Sequence, residues 1–395
     1  MLKEQWELSK EHLKQLLARC RKVVICLDGW SKKGLTSHYL GISACFYDPT
    51  SAVVRHIILR LAMISLPHTG VKIATELNNC LTDWELGAEK VMMIVSDNGA
   101  NMIRAIDLMK VMNNDDEDEC SSSETDSEHE DDDEDDDQDE VTESDSETND
   151  IMELPEEVRY RRMPCMAHTI QLVIKKVYVQ HYAHVLQKCK VLVKKLRKSS
   201  DAVQQLLAKC GKTVVTDNST RWNSSYYMAL RLLEMKACVN EVLSNMKVDS
   251  LTVAEWSKLE EMKNLLEPFA THTDLLQTDA LSLSYVVPSI LDLDCHLQQF
   301  TSAKLLTTAI RADIQHRFSA LLEPSAHNFN PLPAAACFLD PSVGNLLLTT
   351  HMRPLLDAVK LFIIAEVSKT SCNFMLQKNK LKVIEKYEVK LQCYF

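Results

Sequence analysis

The sequence predicts an α/β protein: a mixed sheet of three antiparallel strands joined by parallel strands, with flanking helices and a large all-α insertion. Three observations predict it. Residues 21–112 read as strand, strand, strand, helix, strand, helix, with short linkers between the first three strands. Val91 to Ser96 (VMMIVS) is an unbroken apolar run bounded by polar residues, the mark of a strand covered on both faces. Beyond residue 183 the apolar spacing turns helical and stays so.

Taken in order, residues 1–20 read as an amphipathic helix, with Trp6, Leu8, Leu13, Leu16 and Leu17 near helical spacing. Lys22 to Asp28 is a first strand ended by Gly29, Tyr39 to Tyr47 a second, and Ala52 to Leu59 a third. A helix is expected over about 70–87 and another from about Gly99 to Val111, on either side of the 91–96 strand. Arg159 to Met163 can supply a fifth strand, with a helix beginning near Cys165. This order is the start of the RNase H-like plan, in which the first and fourth strands are neighbours. Val185, Leu186, Cys189, Leu192, Val193 and Leu196 make one later helical face. Thr252 followed by Glu255 reads as a capping box for a helix to about Leu266, which Pro268 is expected to break or kink. The chain divides into an N-terminal helix (1–20), a first part of the sheet domain (21–112), an acidic insert (113–150), the remaining strand and helix (151–182), a helical insertion (183–330) and a C-terminal helical segment (331–395).

The charge is uneven. The 395 residues carry a formal −12. Residues 113–150, however, hold 22 of the 56 acidic residues and no Lys or Arg, so the remaining 34 acids face 44 bases, a balance of +10. The basic body is compatible with a polyanionic partner. The insert is too polar to order itself, and a solvated loop is its plain reading. Its Ser121 to Ser123, Ser127, Ser144 and Ser146 suit acidophilic kinases, and the tract also suits basic partners such as histones. The 13 cysteines contain no CxxC pair, so they read as reduced, mostly buried thiols of the cytosol or nucleus rather than zinc ligands. No apolar run is long enough to span a membrane, and residues 1–20 lack the features of a secretory signal.

Two aspartates stand out. Asp28 closes the first strand and Asp97 the fourth. On adjacent parallel strands their carboxylates would meet at one edge, where hard oxygen ligands suit Mg²⁺ or Mn²⁺ and phosphodiester chemistry. Asp-Gly and Asp-Asn-Gly are also ordinary strand-to-turn sequences, and Asp97 is equally placed to cap the next helix.

Four stretches, LDGWS at 27–31, SDNGANM at 96–102, CMAHTIQL at 165–172 and TRWNSSY at 220–226, together resemble the hAT transposase superfamily, in particular its BED-type zinc-finger relatives. FLDPSVGNL at 338–346 is similar to a later motif of such proteins. The resemblance implies an RNase H-like core interrupted by a helical domain. It matches Asp28 and Asp97 to the first two members of a catalytic carboxylate trio, Cys165 and His168 to a Cys-x-x-His motif, and Arg221 and Trp222 to a basic-aromatic pair, and it implies that His168, Arg221, Trp222 and Asn223 contact DNA. It implies that the Trp stacks on a displaced base, which needs an aromatic platform worth about 1–3 kcal/mol, and that the guanidinium meets phosphate. Each has a plainer reading: Cys165 and His168 as a packing pair on a helix face, Trp222 as a buried core residue, Arg221 as one half of a core salt bridge.

The family's third carboxylate is a Glu in a Ser-Glu-Arg motif within its C-terminal dimerisation segment. No such motif occurs here, Glu366 and Glu385 lie outside one, and the Cys/His pattern of a BED finger is missing. The expectation is a catalytically inactive, nuclear, DNA- or chromatin-associated protein with Asp28 and Asp97 vestigial. No cofactor is expected, Mg²⁺ or Mn²⁺ being the ions the pair would hold if active. DNA binding would be weak and non-specific, histones would bind through 113–150, membranes would not bind, and homo-oligomers are not expected without the dimerisation segment. The alternatives are a protein-interaction scaffold that binds no DNA, and a fragment of an active Mg²⁺-dependent transposase.

Overall fold

The computed structural model describes residues 2–31, 38–65, 69–109, 160–177, 181–217, 222–277 and 283–369. The acidic insert 113–150, Arg221 and Glu385 lie outside the described residues. The chain forms two compact units, Met1–Val53 with Ile57–Met163, and Pro164–Phe395 with Val54–His56.

The first unit is a five-stranded mixed sheet with helices, the expected α/β class. Its elements are α1 (Leu2–Arg19), β1 (Val23–Ser31), β2 (His38–Asp48), β3 (Val53–Ile64), α2 (Gly70–Asp83), β4 (Val91–Ser96), α3 (Ala100–Met109) and β5 (Arg162–Pro164). The strand order is β3-β2-β1-β4-β5. β1 pairs antiparallel with β2 and parallel with β4, as the RNase H-like order requires.

Alternation decides the faces. Val23, Ile25 and Leu27 of β1 pair with Phe46, Ala44 and Ile42 of β2, and all six are buried in one core with Leu17 of α1, Ile73 and Leu77 of α2, and Ala105 and Ile106 of α3. α2 starts at Thr69, whose hydroxyl accepts the Lys72 N–H at 3.3 Å. Gly70 lets it abut α3, since a Cβ there would stand 3.0 Å from Arg104 Cβ. In α1 only Leu17 of the five expected core residues is fully buried, while Trp6 and Leu8 are exposed.

β1 does not stop at Asp28. It continues through Gly29, Trp30 and Ser31 because β2 offers Leu40, Tyr39 and His38 as partners, so Asp28 sits inside the strand opposite Gly41. β3 likewise runs on to Ile64. Of the expected fifth strand, the described part is Arg162–Pro164.

The second unit is helical: α4 (Met166–Val177), α5 (Ala183–Lys198), α6 (Ser200–Cys210), α7 (Trp222–Glu234), α8 (Lys236–Asn245), α9 (Val253–Leu276), α10 (Val286–Gln299), α11 (Lys304–Leu322), α12 (Leu332–Leu339) and α13 (Arg353–Lys369). The fully buried rings of Tyr182, Phe269, Phe318 and Phe338 mark its interior. α9 opens on the expected capping box: the Thr252 hydroxyl accepts the Glu255 N–H at 3.3 Å and Glu255 accepts the Thr252 N–H at 2.8 Å. Pro268 does not end it. Buried Leu265, Leu266, Phe269 and Ala270 on either side hold the helix in place through the missing hydrogen bond. No helix among the described residues is long and apolar enough to cross a membrane.

Candidate functional site

The register of β1 on β4 places the two aspartates. Ile25 pairs with Ile94 and Cys26 with Val95. Asp28 and Asp97 each lie two residues beyond that last pair, Asp28 still within β1 and Asp97 one residue past the end of β4, its parallel neighbour at about 4.8 Å. Asp28 is exposed and Asp97 half-buried. β4 ends at Ser96, and Asp97 turns the chain into α3: its Oδ1 accepts the Gly99 N–H at 3.0 Å, an Asx turn.

Trp30 shares Asp28's face of β1. It pairs with Tyr39, and the two rings stack at 5.9 Å with 23° between their planes. The indole also lies over Gly41, opposite Asp28. A cleft of about 310 Å³ opens at this end of the sheet, lined by Gly29, Trp30, Tyr39, Asp97, Asn101 and Met102 among others. It includes Asp97 but not Asp28.

Arg162 of β5 fixes the same edge. Its Nε donates to Ser96 Oγ at 3.0 Å, and one Nη donates to the Asp97 carbonyl and to Asn98 Oδ1, the latter at 2.8 Å. Burial lowers the pKa of this guanidinium, and the carboxylates of Asp97 and Asp107 oppose that fall. Sequence reasoning missed Arg162. Three arginines stand at 159, 161 and 162, and nothing local distinguishes the one that reaches β4.

Two hard-oxygen residues at this edge fit at most one weakly held Mg²⁺ or Mn²⁺ shared with a phosphate, and Arg162 adds a positive charge that opposes such an ion. Among the described residues no group of three or more His, Cys, Asp and Glu is placed to hold a metal.

The remaining sequence-predicted residues belong to the helical unit. Cys165 precedes α4, and its carbonyl accepts both the N–H of Thr169 at 2.9 Å and its hydroxyl at 3.0 Å. His168 is half-buried in the first turn of α4. Trp222, the first residue of α7, is 8% exposed and packs its ring 6.0 Å from Tyr226, one turn on. Asn223 is buried too, and its amide donates to Asp274 Oδ1 at 3.3 Å. Tyr227 donates to the other oxygen of Asp274. Half-buried Asp217 accepts from Ser224 at 2.6 Å and Ser225 at 2.8 Å and pairs with Lys190 at 2.7 Å, tying the start of α7 to α5. The ten described cysteines are all free thiols, four buried, five half-buried and one exposed, so fewer are buried than the sequence reading expects.

Residues 26–121 match the family described as the ZBED1 RNase-like domain, and residues 163–265 match the ZBED1 RNase-like helical domain. The chain is 23% identical over 331 residues to the "Putative transcriptional regulator tpeD" of Talaromyces stipitatus, covering 75% of this chain and 34% of that protein. It is 20% identical over 202 residues to the human "Zinc finger BED domain-containing protein 4", covering 49% of this chain and 17% of that protein.

Proposed function

This chain is a hAT-derived relative of the BED-type zinc-finger proteins, and from that premise we propose that it is a nuclear, non-catalytic protein that associates with DNA or chromatin in gene regulation. The single observation that carries the reading is the placement of Asp28 in β1 and Asp97 just past the end of the parallel neighbour β4, each two residues beyond the last pair, an arrangement suited to a phosphodiester, with the Arg162 guanidinium fixed beside Asp97. The arginine supports binding over cutting: it offers a phosphate a permanent positive charge and disfavours a divalent ion at the same edge. The basic balance of the chain outside 113–150 gives a polyanion further attraction, and the name of the Talaromyces relative favours a regulatory role.

Two measurements test this. Purified protein with Mg²⁺ or Mn²⁺ should leave supercoiled plasmid intact; nicking that Asp28→Ala abolishes would make it a nuclease. In a gel shift at two salt concentrations, duplex DNA should be retarded at low salt and released at high salt.

The burial of Trp222 and Asn223 favours a second reading, a protein-interaction scaffold, because both side chains are engaged within the helical unit rather than offered to a base. Absence of any shift at low salt, with or without residues 113–150, would select it.

A further inference from the structure

α6 and α8 meet side by side in opposite directions, and their contacts fall in step. Asn245 donates to Gln205 Oε1 at 3.1 Å and one turn on Lys209 pairs with Glu241 at 2.7 Å; beyond both helices, Lys212 after α6 pairs with Glu234, the last residue of α7, at 3.0 Å. Cys210 is the last residue of α6, and Cys238 lies in the first turn of α8, between the last two of these rungs. Cys238 lies near Cys210, Lys209 and Glu241, all of which act on its thiol. Both cysteines are half-buried, within reach of a small reagent. Buried Cys189 and Cys337 are different: burial pushes each thiol up to about 12, far from reactive thiolate.

We propose that Cys210 and Cys238 are a redox-active thiol pair that closes into a disulfide stapling α6 to α8. Cysteines on facing turns of two helices held together at Gln205–Asn245 and Lys209–Glu241 reach the S–S bond length of about 2.0 Å by side-chain rotation and a small approach of the helices. The oxidant is a low-molecular-weight disulfide such as oxidised glutathione. One protein thiolate attacks it, forming a mixed disulfide and releasing one small thiol. The second protein thiolate then attacks the protein sulfur of that mixed disulfide and expels the second small thiol. Two protein S–H bonds are exchanged for one S–S bond, the small disulfide is reduced to two thiols, and the two protein protons end on them. Burial, the neighbouring Cys210 and the nearby Glu241 raise the Cys238 pKa, so closure is slower near neutral pH than under alkaline conditions. The staple would tie together the ends of the segment that carries α7, with Trp222 and Asn223 at its start.

The test is disulfide mapping on the full chain. Reduced protein is exposed to oxidised glutathione under mildly alkaline conditions until exposed Cys295 is glutathionylated, then blocked with N-ethylmaleimide and cut with trypsin. The expected product is the fragment 210–212 joined to 237–247, lighter by two hydrogens than the sum of its parts. It should vanish on treatment with dithiothreitol and be missing from both Cys210→Ser and Cys238→Ser. Recovery of residues 210 and 238 as alkylated thiols, or as separate glutathione adducts, would overturn the proposal.

Discussion

The indole of Trp30 lies across Gly41: its Cζ3 stands 3.1 Å from the point that a Cβ at residue 41 would occupy. Only a residue without a side chain lets the ring lie flat on β2 and stack on Tyr39. Gly41→Val should therefore lift the indole and destabilise the sheet by about 1–3 kcal/mol, the usual cost of overpacking. Urea unfolding followed by tryptophan fluorescence measures it. A variant with wild-type stability and an unchanged emission maximum would refute the contact.

Arg162 joins β5 to the end of β4 through Ser96, Asp97 and Asn98. Arg162→Ala removes these hydrogen bonds from a half-buried place and should cost about 2–4 kcal/mol. Hydrogen exchange should show the loss first in the amides of 94–99. Arg162→Lys should recover only part of it, since an ammonium cannot reproduce the planar fork.

Pro268 interrupts the hydrogen-bond ladder of α9 at the Asn264 carbonyl. Pro268→Ala restores that bond and should stabilise the helical unit by about 1–3 kcal/mol, less the entropy that the freed backbone gains when unfolded. Chemical denaturation checks the sign. Destabilisation would mean that the ring's packing outweighs the missing bond.

Glu255 gives the helical unit a pH dependence. The Lys188 ammonium, 2.7 Å away, and then the Thr252 N–H lower its pKa from 4.5 to about 2. A carboxylate depressed in this way contributes stability that is present above its unfolded pKa and lost as pH falls through the folded one. The thermal midpoint should thus drop between pH 4.5 and about 2, and Glu255→Gln should flatten that part of the profile. An identical profile for the two proteins would show that the ion pair contributes nothing.

The parts of the fold that were legible are those decided locally. VMMIVS is a strand over the expected six residues because five consecutive apolar residues between polar ends suit a covered strand and little else. Thr252 and Glu255 start α9 because a capping box satisfies two backbone donors within one turn. Errors arose where a distant partner overrides a local signal. Gly29 reads as a stop, yet Leu40 on β2 keeps it in the ladder. Pro268 reads as a break or a kink, and of these the break does not occur, since its buried neighbours carry the helix on to Leu276. At the candidate site, the parallel pairing of β1 with β4, which brings positions 28 and 97 to one end of the sheet, was legible from strand order alone. Arg162, the Trp30–Gly41 contact and the Cys210–Cys238 pair were not, since each joins residues whose separation in sequence says nothing of their proximity.

The strand order also dictates when this sheet becomes whole. β1 and β2 form a hairpin within the first fifty residues, and β4 must then insert beside β1 after the excursion through β3 and α2. The last strand arrives 66 residues after the serine its arginine binds. Such long-range closure is slow and exposes unpaired backbone meanwhile. On the ribosome, β4 keeps a bare edge until residue 164 has emerged, so any pause in translating the acidic stretch prolongs the nascent chain's need for a chaperone.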